Sequence, residues 1–162
     1  MKDKYLVLRF VAFYLWQEHI TTDPDTNGLL EYRSNVEDFL GKTMRFLNRL
    51  SPEYRLFEEL DARFTRAMEL AIRLLPSGGF RLPSSPDKKR PINMAFFESF
   101  GYLLSKLNGE GERFHHQILE VYTQLMSNAA YLDTLTRSVD SGVQTKKRYE
   151  IINRFIHELN LC

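Results

Sequence analysis

Four of the six prolines fall between Pro76 and Pro91, and this clustering divides the chain. Proline fixes φ and lacks a backbone N–H, so it interrupts any helix it enters beyond the first turn. The segment 76–91 therefore cannot be helix, although almost everything around it repeats at helical spacing. The longer stretch Gly78–Gly101 reads Gly-Gly-Phe-Arg-Leu-Pro-Ser-Ser-Pro-Asp-Lys-Lys-Arg-Pro-Ile-Asn-Met-Ala-Phe-Phe-Glu-Ser-Phe-Gly. It sets the cationic run Lys88-Lys89-Arg90 directly before an aromatic helix start. The expectation is an all-α, single-domain helical bundle over 1–162, with about six helices and one long Pro-rich basic loop at 76–91.

The first helix is predicted from about Asp3 to Ile20, with Asp3 as its cap. Tyr5 to Trp16 is apolar except for Arg9, so this helix should be buried on most faces, as a central helix would be. Thr21 to Gly28 has loop composition. The second helix, about Ser34 to Leu50, carries the stripe Val36, Phe39, Leu40, Met44, Leu47 and Leu50. Ser51-Pro52-Glu53 reads as a cap, a proline at the first helical position and an acid in the first turn of a third helix reaching about Leu75. A fourth helix should start at Pro91 and run to about Leu107, a fifth from Glu112 to Arg137, and a sixth from Thr145 to Leu159. No segment of adequate length alternates as a strand would.

Basic and acidic residues number 22 and 21, a formal charge of +1. Binding to nucleic acid or membrane would therefore need a local patch, because the whole chain exerts no net attraction. The single cysteine, Cys162, allows no internal disulfide. The run Tyr5–Trp16 is too short to span a bilayer and carries a charge in its middle. It is followed by Gln17-Glu18-His19 where a signal peptide would place small residues. These features predict a cytoplasmic protein without membrane contact.

Motifs for chemistry fail on spacing. Gly41-Lys42-Thr43 lacks the earlier glycine of a phosphate loop, since that position is Val36; Gly41 reads instead as a close-packing site. His115 and His116 are adjacent, so on a helix they diverge by about 100° and do not share a metal. His19 and His157 have no ligand-spaced partners. Pro86-Asp87 needs a downstream Glu-x-Lys to make a nuclease pattern, but Glu98 precedes Ser99 and Phe100. No catalytic residue, metal site or cofactor is expected. Two basic clusters remain, Lys88-Lys89-Arg90 and Lys146-Lys147-Arg148. Arg90 precedes a helix entrance, where unpaired N–H groups favour anions. The candidate partner- or nucleic-acid-binding residues are Arg81, Lys88, Lys89, Arg90 and Asn93.

Several groups of residues together resemble the helical C-terminal part of the DGQQR-domain family. They are Leu6–Tyr14, Asp38-Phe39-Leu40 with Met44 and Asn48, Phe64 with Ala67 and Met68, Phe80-Arg81, and Arg90–Glu98. That family includes the N-terminal half of GmrSD-type modification-dependent restriction enzymes. The resemblance implies a helical part packed on a ParB/sulfiredoxin-like α/β domain whose Asp-Gly-Gln-Gln-Arg motif supports nucleotide hydrolysis or DNA cleavage in anti-phage defence. That motif does not occur in this sequence, so no catalytic residue carries over. The implied role is a non-catalytic module that docks to a separately encoded DGQQR-type protein or to its own kind. The alternative is a nucleic-acid-binding or regulatory helical protein using the basic loop 81–90, with DNA as the partner.

Overall fold

A computed structural model describes residues 2–20, 22–23, 28–76, 79–84, 90–108 and 111–159. Among them are seven helices: α1 (Lys2–Gln17), α2 (Val36–Arg49), α3 (Arg55–Leu74), α4 (Met94–Ser105), α5 (Glu112–Ser127), α6 (Ala129–Thr136) and α7 (Gly142–Glu158). A two-residue antiparallel pairing, β1 (Thr22–Asp23) with β2 (Gly28–Leu29), sets Thr22 opposite Leu29. It is too short to form a layer, and the architecture is all-α. No helix among the described residues is long and apolar enough to cross a membrane.

The most deeply buried helix is α4, where every residue from Ala95 to Ser105 is buried. It packs on α1, α3, α6 and α7, and Glu98 is its only charged residue. The expectation that α1 is buried on most faces holds for Arg9–Leu15. Before this stretch Tyr5 and Val7 stay 42% and 39% exposed, while Leu6 and Leu8 are half-buried against the core. Phe13 is a hub of the core, its ring 5.1 to 6.0 Å from Phe39, Tyr32, Tyr149 and Trp16. Ring pairs at such separations add to the burial of large apolar surfaces.

α1 starts at Lys2 with Asp3 inside its first turn and ends at Gln17, and α7 starts at Gly142 behind a Ser141 cap. Three further boundaries differ from the sequence reading for a local reason. Ser51-Pro52-Glu53 does not open α3. The Tyr54 amide donates to the Ser51 carbonyl at 2.9 Å, closing a turn ahead of a helix that starts at Arg55. α4 begins at Met94 instead of Pro91, because the Asn93 side chain accepts from the Phe96 amide. The expected helix 112–137 is two helices, broken at Asn128, whose side chain accepts from the Tyr131 amide at 2.9 Å. Gly41 is not a close-packing site, since a Cβ there would meet only the Arg45 guanidinium, at 3.6 Å.

Replacing Asn128 with Ala removes the cap of α6 and should cost about 1 kcal/mol, read as a lower urea midpoint at unchanged slope. Burial pushes the Tyr14 hydroxyl up to about 12, helped by the Glu18 charge, and does the same to Tyr32, helped by Asp140. The unfolded chain ionises these groups near pH 10. Stability is then intact below about pH 10 and falls between about pH 10 and 12. Urea midpoints at pH 8, 10 and 11.5 check this, with Tyr14→Phe flattening the decline.

Candidate functional site

The first turns of α1 stand as a ridge between two apolar grooves. One has a volume of about 370 Å³. Its walls are Leu6 and Val7 of α1, Phe64, Met68, Ala71 and Ile72 of α3, and Gly79, Phe80 and Ile92 of the α3–α4 junction, with Phe97 of α4 below. The other, about 350 Å³, lies across the ridge and is lined by Lys4, Val7, Leu8, Val11 and Leu47. Val7 and Asp3 border both grooves. Ile72, at the rim of the larger groove, is 77% exposed, and Met44, one turn before Leu47, is 49% exposed.

The Pro-rich junction builds one wall of the larger groove. Phe80 is its anchor, buried edge-on against the Phe97 and Phe96 rings at 5.0 and 5.7 Å. The two arms of the junction are tied twice: the Asn93 amide donates to the Phe80 carbonyl at 2.9 Å, and the Arg81 guanidinium donates to the Arg90 carbonyl. Short compact loops with joined ends hold their shape through such contacts.

This placement redistributes the residues singled out in the sequence. Asn93 serves the fold, since its side chain caps α4 and also donates to the Leu135 carbonyl at 2.9 Å. Arg81 is half-buried and holds the junction closed, while Arg90 is exposed. Lys88 and Lys89 lie outside the described residues. Of the second basic cluster, Lys146 and Lys147 are exposed, but Arg148 is wholly buried. It cannot reach a phosphate. A local run of like charges in the sequence hid this, because its partner lies 50 residues away.

That partner is Glu98. Its Oε1 accepts from Arg148 at 3.2 Å and its Oε2 from Arg9 Nε at 2.7 Å. Arg9 also donates to the Tyr5 hydroxyl and to Asp140 Oδ1, both at 3.0 Å. Arg148 donates to the Thr134 and Val139 carbonyls at 2.8 and 3.2 Å. Burial holds the Glu98 carboxyl above its ordinary range, and Arg9 and then Arg148 offset only part of that rise. With no exposed side-chain surface and both oxygens engaged, Glu98 cannot touch a substrate, so this network is structural. Among the described residues no group of three or more His, Cys, Asp or Glu could hold a metal ion. The ridge with its two grooves offers an accessible concave surface. Their lining carries only Asp3 and Lys4 as charged groups, which suits an apolar protein surface and not a polyanion.

Comparison with protein-family models, with curated proteins and with solved structures gave no match.

Asn93→Ala removes a cap and a tie to Leu135 and should cost about 1–2 kcal/mol. Thermal unfolding checks this. Wild-type stability in the variant would mean that Asn93 faces outward.

Proposed function

We propose that this chain is a non-catalytic helical docking module of a DGQQR-family, GmrSD-like restriction or anti-phage system. It binds a separately encoded catalytic protein, or a second copy of itself, through the first turns of α1. The observation that carries the docking half of this reading is the apolar ridge of exposed Val7 flanked by half-buried Leu6 and Leu8, between two grooves. Scattered single apolar residues on a surface are ordinary, but a continuous shaped patch marks an interaction site. The assignment to a restriction system rests on the sequence resemblance alone. The groove supports docking independently of it, and Phe80 and Ile92 bring the family-like junction into the same wall.

Val7→Asp and Ile72→Glu should leave the fold intact, since both positions are exposed. Each should weaken association by roughly tenfold to a hundredfold, the range for an apolar anchor replaced by an unpaired charge. The check is light scattering on the chain alone and after co-expression with a neighbouring gene product carrying Asp-Gly-Gln-Gln-Arg. A 19.1 kDa monomer at about 100 µM that ignores such a product contradicts the reading. Salt-sensitive DNA retention lost on changing Lys88, Lys89 and Arg90 together would favour the nucleic-acid reading instead.

A further inference from the structure

Two helices at the centre of this fold have almost no polar face to orient them. From Tyr5 to Trp16, α1 is apolar all round except for Arg9, and α4 carries a single charge, Glu98. An amphipathic helix finds its rotation by turning its apolar stripe inward. A helix apolar on every side has no such instruction, and apolar cores accept many packings of similar volume. In this fold the one charge in the Tyr5–Trp16 stretch of α1 meets the lone charge of α4 at 2.7 Å. Arg148 of α7 takes the second carboxylate oxygen.

We propose that the Arg9–Glu98–Arg148 network selects the rotation and register of α1 against α4 and α7. Turning α1 by one residue, about 100°, or sliding it by one turn, 5.4 Å, would leave Arg9 and Glu98 apart in the core. Every such alternative takes from the buried Glu98 its closer partner and leaves Oε2 without a hydrogen bond in the core, which apolar contacts do not offset. The network thereby also decides which side of α1 faces outward. This inference does not rest on the docking reading.

Trp16 supplies the readout. It is the only tryptophan, and its ring lies 5.5 to 6.4 Å from Tyr149, Phe13, Tyr32 and Phe39. Two variants remove the selection without stranding a charge: Arg9→Met/Glu98→Leu/Arg148→Met, and Arg9→Met/Glu98→Leu/Arg148→Gln, which keeps an uncharged donor near the Thr134 and Val139 carbonyls. Asp140, half exposed, can be hydrated once Arg9 is gone. The expected result is far-UV helicity within about a tenth of the parent, near-UV circular dichroism reduced by roughly half or more, and doubled or broadened amide resonances. If one variant unfolds, the other decides. A helical variant with the parent near-UV spectrum and one set of amide resonances overturns the proposal. So does loss of helicity in both, which would make the network a requirement for folding and not a selector.

Discussion

One carboxylate orders the interior of this protein. Glu98, shared by two guanidinium groups from helices at opposite ends of the sequence, is bonded at both oxygens and closed to solvent. Breaking a buried pair of this kind by removing one partner typically costs about 3–5 kcal/mol. That is a large share of the roughly 5–15 kcal/mol available to a domain. The bonds propagate outward. Arg9 holds Asp140, the Asp140 carbonyl accepts from the Tyr32 hydroxyl at 2.5 Å, and Ser34 Oγ accepts from the Gly142 amide at 2.6 Å. The segment leading into α2 and the turn leading into α7 are thus fixed to the same centre.

Much of the fold was legible in the sequence, because helical periodicity is a local signal. The stripes of α2 and α3 placed both helices to within a few residues, and the proline cluster marked the junction between α3 and α4. The break at Asn128 was not legible. Leu125, Ala129 and Leu132 continue the helical spacing across it, yet Ala129 is exposed and the buried face restarts at Tyr131, Thr134 and Leu135. The apolar pattern stays in phase there, and only the cap geometry ends the helix. Asn93 and Pro91 show the same limit. Proline suits a first turn, but the side-chain bond to the Phe96 amide sets the start of α4.

The buried network and the groove were less legible than the fold. Arg148 sat in a basic run and Arg9 looked like a blemish in an apolar one. Each is meaningful only through Glu98, which lies 50 and 89 residues away. Spacing along a chain does not encode such pairs. What could have found them is the coincidence that two otherwise uncharged segments each carry one charge of opposite sign. The groove was only half foreseen. The apolar excess of α1 was visible, but which of its turns stay uncovered depends on where α2 and α3 pack.

Together these features divide α1 at Arg9. After it, through Leu15, the helix is core; before it Tyr5 and Val7 reach solvent while Leu6 and Leu8 are half-buried. Hydrogen exchange at concentrations where the chain is monomeric tests that division most directly, because Leu6–Leu8 and Phe13–Leu15 are all helical and differ in burial. Phe13, Tyr14 and Leu15 should exchange only through global unfolding, with Leu6, Val7 and Leu8 at least about a hundredfold faster through local opening. Equal protection along the whole of α1 would contradict the division.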